Sequence, residues 1–255
     1  MKTKYNSGFT LIEVLIALVV TMIIMGGAYS AFNGYQKQTT IQTNVSDAQQ
    51  TLRAAMDFMV REVRMAGYDP ESDRNTGIED VSIDAANNSS IEFTFAVDSD
   101  GDGNIDGTDR IIYSIADMPI SAPDGTLDLA REENGGGRQL MAKSIISLGL
   151  AYAYDSNDDG ELDRDGSGNV IWAIDDGGNW SQLDLSTGNT SVTGTAVDER
   201  TIRAVRIWML AQSQAPDPNY TDTNTYIVGP HVRVPNNNFR HRLLERTVLC
   251  RNMGL

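Results

Sequence analysis

Cysteine is nearly absent from these 255 residues: there is one, Cys250. A single thiol forms no intrachain disulfide and no cysteine-based zinc site, which excludes a disulfide framework. Cys250 reads instead as a small buried hydrophobe near the end of the last strand. Histidine is scarce as well, at two residues. His231 stands in "GPHVRVP" and His241 opens "HRLLERTVLC", and no nucleophile motif, phosphate loop or zinc spacing accompanies either. Neither is expected to be catalytic, and the chain does not read as an enzyme. Positive charge is also short: 20 Lys and Arg stand against 35 Asp and Glu, a net charge of −15. Such a surface repels nucleic acid, so no nucleic-acid partner is expected.

One stretch lacks cations altogether. No Lys or Arg occurs between Gly8 and Lys37, and Phe9 to Ala31 is an apolar run holding a single acid, Glu13. As a helix this run is about 35 Å long, against a hydrocarbon core of about 30 Å. The polar leader "MKTKYNSG" carries Lys2 and Lys4. The positive-inside rule therefore puts residues 1–8 in the cytoplasm, and everything after the span is expected to be exported. No Ala-x-Ala site follows the run, as a secretory signal would require. A charge at bilayer depth costs about 2.5–3.5 kcal/mol on insertion scales, and the helix offers Glu13 no cation. Cleavage between Gly8 and Phe9 would create one: a new α-amine about one turn from the carboxylate. Two staggered helices could then pair amine with acid, making Glu13 a register device for assembly.

The helical pattern continues past the apolar run. Ile41, Val45, Ala48, Leu52, Met56, Met59, Val63 and Ala66 recur at steps of three and four, which is one helix face. Arg53, Asp57 and Arg61 form a polar ladder on another side. Gly67 and Pro70 are stop signals. The pattern predicts one helix from about Phe9 to Ala66. Gly26 and Gly27 lie inside it and weaken it by about 1 kcal/mol each relative to Ala. They mark either a place where the helix can melt locally or close packing of neighbouring helices.

After Gly67 short β-type runs alternate with Asp, Gly and Asn turns. Strands are predicted at 90–97, 110–115, 144–154, 170–174, 201–210 and 241–250. In "TIRAVRIWML" apolar residues fall on both alternations, so this strand is expected to be covered on both faces. The fold class expected is α+β: a long N-terminal helix, membrane-spanning in its first half, packed on mostly antiparallel sheet. The chain divides into residues 1–8 as leader, 9–32 as the transmembrane half of the helix, 33–67 as its amphipathic half, and 68–255 as a β-rich domain.

"SGFTLIEVLIALVV" resembles the class III signal of type IV prepilins. The resemblance implies a prepilin peptidase that cuts after Gly8 and methylates Phe9, and it places the family's assembly acid at Glu13. "LRAAMDFMVREVRMAGYDP", "TIRAVRIWMLAQSQAPDP" and "FRHRLLERTVLCRNMGL" resemble the PilW-like minor pilins, relatives of the J-type pseudopilins of type II secretion. That resemblance implies a structural protein whose partners are other minor pilins and the major pilin. It implies storage in the inner membrane with the C-terminal domain in the periplasm, then a place at the pilus tip on the cell surface, where it helps start assembly. The alternatives are a type II secretion pseudopilin, or a calcium-dependent adhesin on a pilin stalk.

Two acidic loops interrupt the β region. "DSDGDGNIDGTD" places Asp98, Asp100, Asp102, Asp106 and Asp109 at loop positions 1, 3, 5, 9 and 12. Gly103 falls at the sharp turn, and Asn104 at the position that gives a backbone carbonyl. This is the oxygen-ligand spacing of an EF-type calcium loop, with Asp where the bidentate Glu usually stands and strands where helices usually flank it. "DSNDDGELDRDG" offers Asp155, Asn157, Asp159, Glu161 and Asp163 but ends in Gly166, a poorer match. Residues 98–109 and 155–165 hold 11 of the 35 acids. Such clusters repel themselves unless a cation relieves them, so calcium is the expected cofactor. The competing reading is ordinary hairpin-turn chemistry.

Overall fold

The computed structural model describes residues 10–71, 76–83, 88–100, 105–175, 180–192 and 197–254. Its first element is a 53-residue helix, α1 (Leu11–Val63). Phe9 lies outside the described residues. At the other end the predicted helix is three residues too long, because Arg64–Gly67 form a turn. Gly67 takes a left-handed φ of +76°, and its N–H bonds the Thr94 carbonyl at 3.0 Å. The chain thus leaves the helix by joining a strand, and a residue with a side chain at 67 would meet Met253.

The chain divides into two compact units, one ending at Asn44 and one beginning at Val45. In the first, the apolar side chains of α1 from Leu11 to Tyr35 are exposed, among them Ile12, Val14, Ile23, Met25 and Phe32. The helix is long and apolar enough here to cross a membrane.

In the second unit α1 buries Ala48, Leu52, Ala55, Met56, Met59 and Val63. These positions follow the predicted helical face. The Arg53–Asp57–Arg61 ladder works differently from a row of ion pairs. Arg61 donates to the Asp57 backbone carbonyl at 3.2 Å and lies over the Phe58 ring.

Two sheets receive the helix. The first is an antiparallel meander of β1 (Ile78–Ile83), β2 (Ser89–Val97), β3 (Gly107–Asp117), β4 (Leu127–Glu133) and β5 (Gln139–Ala142). The second contains β6 (Ile145–Tyr154), β7 (Ala173–Asp175), β8 (Trp180–Leu183), β9 (Thr190–Val192), β10 (Ile202–Gln212) and β13 (His241–Leu249), in the order β13-β10-β6-β7-β8-β9. A hairpin of β11 (Tyr226–Val228) and β12 (His231–Arg233) completes the fold. The class is α+β, with antiparallel pairing throughout the described residues.

The core lies between α1 and both sheets. Met56, Met59 and Val63 pack with Phe93, Ile111 and Leu129 of the first sheet and with Leu148, Val205, Ile207 and Val248 of the second. The opposite face of β10 carries Ala204, Trp208 and Leu210 into a second cluster with Trp172, Leu183 and Val228. β10 is therefore covered on both faces, as its double alternation predicts. Cys250 is buried just past β13, where burial pushes its thiol up to about 12. At the predicted strand 170–174 only Ala173 and Ile174 are in a strand, because Val170 pairs back to Arg164 and closes the preceding loop.

Candidate functional site

Three places carry the chemistry that the sequence singles out. The first is the head of α1. The Thr10 N–H and Oγ1 both donate to Glu13 Oε2, at 2.9 and 3.0 Å, and the Glu13 N–H donates back to Thr10 Oγ1 at 3.4 Å. This is a capping box: threonine and an acid three residues on satisfy the free donors at a helix start. The sequence signal was the Thr-x-x-Glu spacing. Glu13 thus holds its carboxylate against the residue that follows Phe9. Gly8 and Phe9 themselves lie outside the described residues.

The second place is the loop between β2 and β3. Asp98, Asp100 and Asp106 each have a carboxylate oxygen within 4.8 Å of those of the others. Asp106 is fixed by Ser99, whose N–H and hydroxyl donate to Asp106 Oδ1 at 2.8 and 2.6 Å. Asp109 belongs to β3 and turns elsewhere, accepting from Asn134 Nδ2 at 2.7 Å. Asp102 and Asn104 lie outside the described residues. Among the described residues, three of the predicted donors therefore gather and Asp109 stands apart.

The third place, after β6, repeats the second. Ser156 donates through N–H and Oγ to Asp163, as Ser99 does to Asp106. The Asp163 N–H bonds the Tyr154 carbonyl as the Asp106 N–H bonds that of Val97. Here too acids accept bonds from the loop's own backbone. Asp155 is buried, and its carboxylate accepts the N–H groups of Asp159 and Gly160 at 3.2 and 2.9 Å. Burial raises its pKa, but these bonds and the nearby Arg203 outweigh that and leave it lowered. Asp159 accepts from Asn157 Nδ2 and from the Glu161 N–H. Arg203 reaches Asp158 at 3.4 Å, so this loop has a cation of its own chain beside it.

Both histidines are buried and engaged in packing. His231 Nε2 lies 3.1 Å from Ser89 Oγ, which also accepts the Leu150 N–H at 3.0 Å. Burial and the neighbouring Arg233 lower its pKa to about 4. His241 Nδ1 donates to Asp222 Oδ2 at 2.8 Å. Burial alone would raise the Asp222 carboxyl; bonds from Tyr226, His241 and Asn224 hold it down at about 2.

Comparison with known proteins adds a family. The prokaryotic N-terminal methylation motif matches residues 3–29. The family of type IV pilus-assembly protein W matches residues 121–252. Among solved structures, a type IV-like pilin from Thermus thermophilus is similar at 14% identity with a TM-score of 0.46, over 81% of this chain and 98% of its own. No curated protein matches the sequence. With the methylation motif at its head and half its length matched to one family, this chain belongs to the type IV pilus-assembly protein W family.

Proposed function

We propose that this protein is a minor pilin that joins the tip complex of a type IV pilus and helps start its assembly. The observation that carries this reading is the joining of two parts in one chain. A methylation-motif helix with exposed apolar side chains from Leu11 to Tyr35 runs into a domain of the pilus-assembly family. Prepilin peptidase removes residues 1–8 and methylates Phe9. The helix stores the protein in the inner membrane with its domain in the periplasm, then enters the filament. Partners are other minor pilins and the major pilin. The work is structural.

In this reading Glu13 has two duties. Within its own helix it caps Thr10, and between subunits its charge answers the α-amine that cleavage creates. The second duty is available because the carboxylate already sits at the helix head.

The loop of Asp98, Asp100 and Asp106 is proposed to take calcium, since three carboxylates converge there with oxygen donors only. Extracytoplasmic calcium sites bind at roughly 10⁻⁴–10⁻³ M, which suits a periplasmic or surface position.

A deletion strain tests the function. Loss of surface pili with normal export of secreted enzymes supports the pilus role. Retained pili with failed export would move the protein to type II secretion, and retained pili with lost attachment would favour the adhesin reading.

A further inference from the structure

The second sheet ends on one side at β13, whose nine residues make it longer than the other edge strands, β1, β5 and β9. Its outward-facing groups follow from the register. The Ser213 N–H bonds the Arg240 carbonyl before β13, the Cys250 N–H bonds the Arg203 carbonyl after it, and the pairing with β10 is unbroken between. Alternate residues of an antiparallel pair exchange both bonds. Arg242, Leu244, Arg246 and Val248 therefore bond to β10. The N–H and C=O groups of Leu243, Glu245, Thr247 and Leu249 point away from it. Among the described residues these groups meet no other strand.

The charge on this edge runs against the rest of the molecule. From residue 200 onward the chain has eight arginines and three acids, whereas the whole carries −15. Those three acids are already engaged. Asp217 pairs with Arg240, Asp222 with His241, and Glu245 with Arg206 and the Trp208 indole. Arg242 and Arg246 are exposed and have no carboxylate within ion-pair distance among the described residues. They stand four residues apart on one face of an open edge. An open edge adds a further strand through main-chain bonds, and cross-strand side chains then stand about 4.5–5.5 Å apart. Two arginines turn away a basic strand and draw an acidic one.

We infer that β13 is a docking edge for an extended acidic segment of a neighbouring pilin subunit, which adds to the sheet as a further strand and sets carboxylates against Arg242 and Arg246. The inference rests on the pilus reading for the identity of the neighbour. The edge itself rests on register and charge.

The test uses the full-length protein in detergent and two synthetic nine-residue strand peptides. One has glutamates four residues apart, and the other has lysines at the same places. The glutamate peptide should slow hydrogen exchange at the Leu243, Glu245, Thr247 and Leu249 amides at least tenfold, and the lysine peptide should leave them unchanged. Thr247→Pro removes an outward N–H and leaves the bonds to β10. It should weaken glutamate-peptide binding at least tenfold. Arg242→Glu with Arg246→Glu should reverse the preference between the peptides. No protection by the glutamate peptide, or equal protection by both, overturns the inference. In cells, pili lost with Thr247→Pro at normal protein level, and lost also with Glu13→Val, support it. Pili lost with Glu13→Val alone overturn strand addition and leave the pilus reading standing; pili kept in both strains overturn both.

Discussion

Arg131 of β4 grips Glu62 of α1 with two bonds, Nη2 to Oε1 at 2.9 Å and Nε to Oε2 at 3.1 Å. The Tyr113 hydroxyl donates to the same carboxylate, and Arg131 Nη1 reaches Glu133 at 2.6 Å. Burial and the bond to Glu62 hold the tyrosine in its protonated form, with a strongly raised pKa. The cluster ties the last turns of the helix to the first sheet through directional bonds. The two side chains are about one-fifth exposed, 19% for Arg131 and 18% for Glu62. The pair is therefore screened less than a surface pair and more than a fully buried one. Glu62→Ala should cost about 2 kcal/mol, since it leaves a partly buried guanidinium and a hydroxyl short of an acceptor. Glu62→Gln should cost less. Denaturant unfolding of the detergent-solubilised chain measures both, and equal stability of wild type and Glu62→Ala would remove the tie from the account.

His231 makes stability depend on pH. Its pKa falls from the usual 6.5 to about 4, because burial and Arg233 both oppose a second positive charge. A depressed histidine favours the folded state most where the unfolded imidazole is also neutral. This contribution is complete above pH 6.5 and is lost as pH falls toward 4. The loss between pH 7 and pH 4.5 should be about 2 kcal/mol. Asp222, held at about 2, stays charged throughout that window. Unfolding curves at both pH values for wild type and His231→Gln separate this effect from that of other acids. The variant should lose less on acidification, and the same loss in both would exclude His231 as the source.

Gly149 lies under the β11–β12 hairpin. A Cβ there would stand in the place of the Val228 carbonyl, which is backbone and does not swing aside. Gly149→Ala should cost about 3 kcal/mol by overpacking. Gly166→Ala has open space around it and should change stability by less than about 0.5 kcal/mol. Comparable melting temperatures for the two variants would contradict the packing described.

Calcium should raise the melting temperature through the loop of Asp98, Asp100 and Asp106. Linkage gives about 2.7 kcal/mol at one hundred times the dissociation constant. Asp98→Asn with Asp100→Asn should abolish most of the shift. Asp159→Ala should remove less, because among the described residues the three gathered carboxylates are those of Asp98, Asp100 and Asp106. Magnesium should substitute poorly, given its small octahedral shell. Identical melts in chelator and in millimolar calcium would return both loops to turn chemistry.

Much of the fold was legible because it rests on local periodicity. The steps of three and four from Ala48 to Val63 are the buried face of α1, and Gly67 ends the helix where its left-handed φ is required. The double alternation of β10 reads directly as burial on both faces. β1, β4 and β5 were missed for the opposite reason. "LDLAREE" buries Asp128 and sends Arg131 to an acid 69 residues away, so its polar residues look like those of a loop until the partner is known. Three-residue strands such as β9, β11 and β12 have too few positions to show a period. At the head of α1 the sequence shows a lone acid in an apolar run, and its partner is a neutral threonine, Thr10, legible only in the Thr-x-x-Glu spacing. For the acidic loops the spacing was visible, but the turning of Asp109 toward Asn134 depends on how β3 and β4 pair.

Substitution separates the capping of Thr10 by Glu13 from the proposed pairing with the α-amine. Glutamine caps a helix as glutamate does but carries no charge. Glu13→Gln should leave the helix and membrane insertion unchanged and reduce incorporation into pili, and Glu13→Val should reduce it at least as far. Normal incorporation of Glu13→Gln would confine Glu13 to capping.

The account stands most directly on the chemical form of the protein inside filaments. Mass spectrometry of sheared, purified pili should recover this chain with an N-terminal peptide that begins at N-methylated Phe9 and lacks residues 1–8. A chain that keeps its leader in that fraction, or that never enters it while remaining abundant in the membrane, would contradict the account.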